Sequence, residues 1–309
     1  MNTMPVNNEF KDDLKEIYSK LSTSIWKKIP MDNINLIKPA MGISQKIYIA
    51  TVTNENEISK FVIKYPTDNN LSRDIQIQIN MTNNKVGPTI LTHTNEFYVE
   101  EFIEGGHYNV NDMANSDIIN KISNKLSELH SIKIEHLRSS LDNLKIFYDI
   151  IKKSFTQETI KTVSCLVTDE KIDEISSILK DTLDNIDMYY AQGIDIFESH
   201  DTLCVCHNDV HYENIIKYKK ESKLIDFEFC ATNHPEYDFI NLYVETLIAS
   251  DGKSNPITIL DHVNKQNIYK LTLYNNIFWL FWTLVKLIDA PDKGYLQYFI
   301  VRLDRLNDM

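Results

Sequence analysis

The hydrophobic pattern changes near residue 103 and divides the chain into two parts. Before that point, alternating or continuous apolar runs predict short strands over 34–38, 46–52, 60–65, 89–91 and 97–101. Apolar residues three to four positions apart predict helices over 9–26 and 72–83. After residue 111 the helical spacing dominates, over 118–132, 141–154, 169–192 and from 236 to the end.

This pattern predicts an α+β fold with two lobes. Residues 1–103 form a small β-rich N-lobe with one main internal helix, and 104–309 form a larger, mainly helical C-lobe. Segment 102–106 is the expected connector. Two short apolar runs, 203–206 and 223–225, interrupt the helical part and predict strands there.

Composition narrows the classes of function. The 309 residues are 43% hydrophobic and 25% charged, which is typical of folded domains. With 44 acidic and 32 basic residues the net charge is −12, so we expect no nucleic-acid partner. An acidic surface suits a cationic small molecule, although solubility alone explains such a bias.

Cysteine spacing and hydropathy indicate a cytoplasmic protein. None of the four cysteines forms a CxxC pair with metal-ligand spacing, so buried thiols in a reducing compartment are expected. The N-terminus lacks a basic start followed by an apolar run. The most apolar stretch, 277–288, is short for a bilayer and contains Lys286, so no membrane insertion is expected.

The strongest chemical signal is a polar loop that follows the apolar run 203–206. His207, Asp209 and Asn214 form the pattern HxDxxxxN, and Asp226 ends the next apolar run. A carboxylate in such a loop can accept a hydroxyl proton, while an amide and a second carboxylate can bind Mg²⁺. Isolated Asp and Asn residues in loops are usually turn residues. Here three polar residues at the motif spacing lie between two apolar runs and follow a β-rich lobe in the sequence. This combination favours a role in phosphoryl transfer.

The chain resembles the choline/ethanolamine kinase family over about residues 40–305. Four segments carry the resemblance: His207-Asn208-Asp209 with Asn214, Ile225 to Glu228, Tyr237-Asp238-Phe239 with Asn241 and Glu245, and Phe278 to Trp282 with Gly294 to Tyr298. Asn208 stands where protein kinases carry Arg, and Asp226-Phe227-Glu228 replaces D-F-G. These departures favour a small-molecule kinase with a protein-kinase-like fold.

The resemblance implies ATP and Mg²⁺ as cofactors and a role for each matching residue. Asp209 is implied as the base on the substrate hydroxyl, and Asn214 and Asp226 as metal ligands with Glu228 near the metal. Lys64, Ser44 and Gln45 are implied at the ATP phosphates, and Glu101 to Ile103 as the connector that receives adenine. Transfer is expected to be direct and in line. His130 matches a family helix motif and is expected to be a packing histidine.

The family's amine site can be judged by physical chemistry. Choline has no N–H, so aromatic faces and a nearby carboxylate must recognise it. Trp279 and Trp282 are three residues apart, Tyr295 and Tyr298 repeat that spacing, and Glu245 supplies a negative charge. Any one of these rings is more often part of a core. Together, at the family's spacing, they favour a cage for a bulky cation.

Some positions depart from the family. Arg73 is present, but Gln76 stands where a supporting Glu is frequent, and Phe229 stands where Tyr is common. Where the family often has aromatic or imidazole side chains, this chain has Leu242, Thr246 and Ser250. These changes predict a smaller cage and leave choline and ethanolamine both open.

The expected function is therefore choline kinase, which converts ATP and choline to phosphocholine and ADP. Ethanolamine kinase is a close alternative, and an aminoglycoside-type phosphotransferase is another. A kinase-like binding protein is a third alternative, supported by Gln76 alone. The sequence leaves a homodimer open; phospholipid biosynthesis is the expected use of the product, and surface decoration stays open as another.

Overall fold

The computed structural model describes residues 10–39, 46–54, 57–66, 71–200 and 202–309. These residues form two compact units. The first unit contains the described residues up to His107 and the segment Asn214–Glu228. The second unit contains Tyr108–Glu213 and Phe229–Met309. The predicted boundary after residue 103 did not include the return of 214–228 to the first unit.

The first unit is built on a five-stranded antiparallel sheet with the order β1-β2-β3-β5-β4. Its strands are β1 (Ile34–Ile37), β2 (Lys46–Asn54), β3 (Glu57–Tyr65), β4 (Ile90–His93) and β5 (Tyr98–Glu101). In the middle of β2, buried Tyr48, Ala50 and Val52 alternate with less buried residues, as the two-residue period of a strand requires. The predicted strands are thus present with shifts of a few residues at their ends.

Two helices belong to the first unit: α1 (Lys11–Leu21) and α2 (Leu71–Asn83). Leu14, Ile17 and Leu21 of α1 form one apolar face that shares a core with the sheet. After α2 the chain passes Gly87, where a Cβ atom would lie 2.7 Å from the Phe227 ring. Glycine is therefore required at this close approach between α2 and the 226–228 segment.

A small three-stranded sheet completes the first unit. It contains β6 (Gly106–His107), β8 (Ile215–Tyr218) and β9 (Glu221–Leu224), in the order β6-β8-β9. The connector predicted over 102–106 therefore ends in a short strand that pairs with the returning segment.

The second unit is mainly helical. Its helices are α3 (Ser116–His130), α4 (Ser140–Ser154), α5 (Gln157–Ser164), α6 (Ile172–Asp184), α7 (Ile186–Glu198), α8 (Tyr237–Ala249), α9 (Lys265–Asp289) and α10 (Lys293–Asn307). Two short antiparallel strands, β7 (Cys204–Cys206) and β10 (Ala231–Asn233), pair beside them. This arrangement and the sheet of the first unit confirm the predicted α+β fold class.

The central helix of this unit is α9. Its residues Ile277 to Phe281 are almost fully buried among the other helices. By length and composition α9 is the one helix among the described residues that could cross a membrane, but 72% of its most apolar window is buried inside the protein, as in core helices. The apolar stretch 277–288 is thus part of a 25-residue helix.

Two details of the sequence interpretation were wrong. The helix predicted over 169–192 is broken at Asn185, which ends α6 and precedes α7. Its side-chain amide donates to the Asp181 carbonyl at 2.8 Å, and such local bonds compete with helix continuation. Among the cysteines, Cys206 and Cys230 are buried as expected, Cys204 is half-buried and Cys165 is exposed.

Candidate active site

In the first unit, a buried lysine lies between two carboxylates. The Lys64 Nζ is 3.1 Å from Glu100 Oε1 and 3.4 Å from Asp226 Oδ1. Lys64 and Glu100 are almost completely buried, whereas Asp226 is partly exposed. Burial alone would lower the pKa of Lys64, but the charges of Glu100 and Asp226 raise it well above its usual range. Lys64 is therefore a fixed cation.

Lys64 takes its carboxylate partner Glu100 from the sheet, whereas Gln76 on α2 is exposed. In the sheet Val62 faces Glu100 and Lys64 faces Tyr98, so Lys64 and Glu100 are diagonal neighbours on one face. Burial raises the pKa of Glu100, and Lys64 counteracts that rise. The ion pair that supports the lysine therefore lies within the sheet.

The three predicted oxygen donors, Asn214, Asp226 and Glu228, lie on the segment that returns to the first unit. The Ile225 N–H donates to the Asn214 carbonyl at 3.0 Å, so Asn214 and Asp226 lie at the same end of the β8–β9 hairpin. Asp226 has a φ of 67°, a left-handed conformation that Asp adopts more readily than most residues. Arg73 donates to the Glu228 carbonyl at 3.4 Å, which attaches α2 to this segment.

The predicted adenine connector has a structural role of its own. Glu101 Oε1 accepts a hydrogen bond from the Thr89 N–H at 3.0 Å, and the Glu101 N–H donates to the Thr89 carbonyl at 2.9 Å. Ile103 is buried. Ser44 and Gln45, predicted at the ATP phosphates, lie outside the described residues.

In the second unit, the loop 206–214 is anchored by one buried carboxylate. Asp238, in the first turn of α8, accepts hydrogen bonds from the His207 N–H at 3.0 Å and the Asn208 N–H at 2.8 Å. Its Oδ2 also lies 2.9 Å from His130 Nε2. Burial would lower the pKa of His130, but the hydrogen bond and charge of Asp238 raise it.

Asn208 shows why an amide fits the position at which protein kinases have Arg. Its backbone is left-handed, with a φ of 65°, and its side chain is fully buried. The Nδ2 group lies within 3.2 Å of the carbonyls of Cys206, Phe229 and Ala231. Its Oδ1 accepts from Asn233 at 2.8 Å. A short side chain with donors and an acceptor therefore joins the loop to β7 and β10.

Asp209, the predicted base, follows this fixed residue. Its N–H donates to His207 Nδ1 at 3.3 Å, and its Oδ2 lies 3.9 Å from His211 Nε2. Its side chain is 17% exposed, which leaves part of the carboxylate accessible. The loop therefore presents a carboxylate on a backbone that Asp238 and Asn208 hold in place.

The structure brings the predicted aromatic residues together in the second unit and adds Phe229 to them. We call Phe229, Trp279, Trp282, Tyr295 and Tyr298 the aromatic cluster. The other four rings lie 5.4–6.3 Å from the Trp282 ring, with interplanar angles of 76–86°. These edge-to-face contacts pack the four rings around Trp282.

The two tryptophans of the aromatic cluster differ in exposure. Trp279 is only 3% exposed, and its Nε1 donates to Asn241 Oδ1 at 2.7 Å. Asn241 Nδ2 in turn donates to the Val210 carbonyl at 3.2 Å. Trp279 thus links α9 to the loop, whereas Trp282 is half-buried and keeps accessible surface.

Glu245, the predicted partner of the amine, is already paired. Arg302 on α10 bonds its carboxylate, and the Tyr298 hydroxyl donates to it at 2.8 Å. Arg302 is fully buried and also donates to Asn275 and Asn276. Burial raises the pKa of Tyr298 well above its usual range, so this hydroxyl stays protonated. Much of the negative charge beside the aromatic cluster is therefore compensated.

Reasoning from sequence missed Glu100 and Arg302, and it treated Phe229 only as a departure from the family that makes the cage smaller. Glu100 directly follows the apolar residues Phe97 to Val99, which is a signal, but its partner depends on strand register. Arg302 follows Tyr298 by one helical turn, so a cation beside Glu245 could have been suspected. Phe229 directly follows the Asp226 to Glu228 segment.

Comparison with known proteins identifies the family. The family model described as choline/ethanolamine kinase matches residues 37–269. The chain is 21% identical over 254 residues to probable choline kinase 2 of Arabidopsis thaliana, with 71% of this chain and 67% of that protein covered.

Solved structures share the fold. The choline kinase LicA from Streptococcus pneumoniae superposes with a TM-score of 0.69 at 17% identity, covering 96% of this chain and 98% of the other. A Plasmodium vivax ethanolamine kinase gives 0.66 at 16% identity, covering 98% and 96%. The ADP-bound aminoglycoside phosphotransferase APH(2'')-Ib gives 0.56 at 17% identity, covering 94% and 96%. The fold is therefore protein-kinase-like, and the chain belongs to the choline/ethanolamine kinase family of phosphotransferases.

Proposed function

We propose that this protein transfers the γ-phosphate of ATP to the hydroxyl group of choline, giving phosphocholine and ADP. The observation that carries the proposal is the aromatic cluster around Trp282, whose rings suit a trimethylammonium group. Lys286 Nζ lies 5.5 Å from the Trp282 ring centroid, so a cation is already present beside this ring.

The charge beside the aromatic cluster favours choline over ethanolamine. A primary ammonium carries three N–H donors and needs acceptors around it. Glu245 is bonded to Arg302 and Tyr298, which occupies much of its acceptor capacity. Choline needs no hydrogen-bond acceptor, because its ammonium has no N–H, so the aromatic faces are its main recognition element where the Glu245 charge is compensated.

The chemistry is direct transfer between the two substrates. The choline oxygen forms a bond to the γ-phosphorus while the bond from that phosphorus to the bridging β–γ oxygen breaks. Asp209 accepts the hydroxyl proton, and ADP leaves. Lys64, a buried and permanently protonated group, neutralises phosphate charge.

The donor set on the 214–228 segment fits Mg²⁺. Asn214, Asp226 and Glu228 offer amide and carboxylate oxygens, which this ion prefers. We assign these three residues to hold it; when bound, Mg²⁺ supplies neutralisation of phosphate charge.

A substrate panel tests the proposal. The purified protein is assayed for ADP formation with Mg-ATP on choline, ethanolamine and an aminoglycoside in parallel. We expect the highest kcat/KM for choline. A higher value for ethanolamine or for the aminoglycoside would overturn the choline assignment.

A pair of variants on α9 tests the role of the aromatic cluster. Trp282→Leu should raise the KM for choline by about 2- to 30-fold, the equivalent of about 0.5–2 kcal/mol for one cation–π contact. Tyr269→Leu is the matched control, because Tyr269 is an exposed aromatic residue on the same helix. An unchanged KM in Trp282→Leu would show that the cluster is only part of the core.

A further inference from the structure

A group of sulfur and nitrogen donors lies in the second unit behind the loop that carries Asp209. Cys204 and Cys206 occupy the ends of β7, so their side chains point to the same face of the strand. His130, the last residue of α3, lies beside them. One donor atom from each of these residues lies within 4.8 Å of the other two.

We propose that His130, Cys204 and Cys206 bind a thiophilic metal ion, with Zn²⁺ as the chemically favoured one. Two thiolates and one imidazole form a ligand set that suits Zn²⁺, whereas Mg²⁺ requires oxygen ligands. The site is therefore distinct in chemistry from the oxygen donors Asn214, Asp226 and Glu228. The inference does not depend on the identity of the phosphate acceptor.

The sulfur geometry suits a bound metal better than a disulfide. The two Sγ atoms are 3.5 Å apart. Tetrahedral Zn²⁺ with Zn–S bonds of about 2.3 Å places two sulfurs about 3.8 Å apart. Two residues along a strand place the Cα atoms about 6.7 Å apart, at the upper limit for a disulfide, so oxidation of this pair requires distortion.

Asp238 supplies the support that a metal-binding histidine needs. Its Oδ2 lies 2.9 Å from His130 Nε2. A histidine that donates one ring N–H to a carboxylate keeps the other nitrogen for a metal, and such pairs recur at zinc sites. In His130 the remaining nitrogen is Nδ1.

Two further imidazole rings pack together next to Cys206. Cys206 Sγ contacts the His234 carbonyl at 3.5 Å, and the His234 ring packs against the His200 ring with centroids 4.4 Å apart. His200 Nε2 is buried, and it has no hydrogen-bond partner among the described residues. Because neither ring belongs to the group of donors formed by His130, Cys204 and Cys206, we assign the fourth coordination position to water.

A metal ion at this position would restrict the start of the loop 206–214. β7 leads directly into His207, and Asp238 bonds both His130 and the backbone of the loop. An ion held by Cys204, Cys206 and His130 would therefore fix the start of the loop that presents Asp209.

Metal binding can be measured without any assay of catalysis. The reduced full-length protein is stripped with a chelator and titrated with Zn²⁺ against a colorimetric competitor in excess Mg²⁺. We expect one Zn²⁺ per chain. With Co²⁺ as a probe, we expect the near-ultraviolet absorption of thiolate ligands.

Three variants locate the site. Cys204→Ser should bind Zn²⁺ at least tenfold more weakly, and so should His130→Gln, whose amide can still donate to Asp238. Cys165→Ser is the control, because Cys165 is an exposed cysteine that is not one of the proposed metal ligands. The proposal is overturned if the parent protein binds no Zn²⁺, or if Cys204→Ser and His130→Gln both bind Zn²⁺ like the parent.

Discussion

At the scale of single residues, Asp238 has the widest structural effect on the loop. It is fully buried and accepts hydrogen bonds from two consecutive backbone N–H groups while pairing with His130. No other group can replace a carboxylate there, because both oxygens serve as acceptors. The sequence identified Asp238 as part of a family motif but not its partners, since these depend on the packing of α8 against β7.

Replacing this carboxylate by an amide should affect both stability and turnover. In Asp238→Asn one acceptor oxygen becomes an NH₂ group that faces a donor, so we expect a loss of about 1–3 kcal/mol in unfolding free energy. The kcat should fall as well, because the backbone before Asp209 loses its anchor. Urea denaturation and steady-state kinetics measure the two effects, with the exposed Asp261→Asn as control. Unchanged values in Asp238→Asn would show that the loop does not need this anchor.

Glu100 offers a second test at this scale. In Glu100→Gln the buried ammonium of Lys64 loses one of its two counterions. We expect Lys64 to shift toward Asp226 and the dissociation constant for ATP to rise several-fold, as measured by calorimetric titration. Glu57→Gln, at the exposed start of β3, should bind ATP like the parent. Equal affinity in Glu100→Gln and the parent would show that Lys64 is held without Glu100.

At the scale of elements, the contacts between α8, α9 and α10 were the least predictable part of the site. The spacing of Trp279 and Trp282 predicted that both rings lie on one side of a helix. It could not show that Trp279 is committed to Asn241 while Trp282 keeps accessible surface. That difference depends on how neighbouring helices cover α9, which no local pattern contains.

Asn241 is the polar contact that joins these elements. Its Oδ1 accepts from Asn275 at 2.6 Å and from Trp279 at 2.7 Å, both on α9. In Asn241→Leu these two buried donors lose their acceptor, and each such loss costs about 1–3 kcal/mol. We expect a clearly lowered melting temperature and altered tryptophan fluorescence. Asn264→Ala, which removes an exposed cap of the same helix, should cost only about 1 kcal/mol. A smaller loss in Asn241→Leu than in Asn264→Ala would contradict this account.

The contact of α1 with the sheet predicts a small dependence of stability on pH. Asp13 on α1 bonds Lys46 on β2 at 2.8 Å, and this hydrogen bond lowers the pKa of Asp13 below 3.8. A lowered pKa means that the stabilisation is present above pH 3.8 and is lost as the pH falls through the folded-state value. Because both side chains are substantially exposed, the contribution should be a few tenths of a kcal/mol.

The comparison of the parent with Lys46→Met isolates this contribution. Unfolding free energies are measured at neutral pH and below pH 3.8. The parent should lose a few tenths of a kcal/mol more than the variant, since the other carboxylates titrate equally in both. An equal loss in the two proteins would exclude the pair as a source of pH dependence.

At the scale of the whole molecule, the order of strands and helices was predictable because alternation and helical spacing are local. The return of 214–228 to the first unit was not, since it results from the pairing of β6 with β8. The same contrast between local pattern and tertiary pairing holds for the site residues. Asp209, Asn214 and Asp226 were predicted from spacing and Lys64 from the family resemblance, whereas the partners of Lys64 and Glu245 required the tertiary structure.

The net charge of −12 gives a prediction at this scale. An acidic protein attracts a cationic substrate, and salt screens that attraction beyond about 10 Å at 0.1 M. At saturating Mg-ATP, the kcat/KM for choline should fall several-fold as NaCl is raised. A value independent of salt would show that choline binding depends on local contacts alone.

The measurement that tests the central claim most directly is identification of the product by ³¹P NMR. The protein is incubated with Mg-ATP and choline, and the γ-phosphate is followed. We predict that phosphocholine and ADP form in equal amounts, and that Asp209→Asn reduces the rate by about 10²–10⁴-fold while ATP still binds. Release of inorganic phosphate without phosphocholine, or an unchanged rate in Asp209→Asn, would contradict the account.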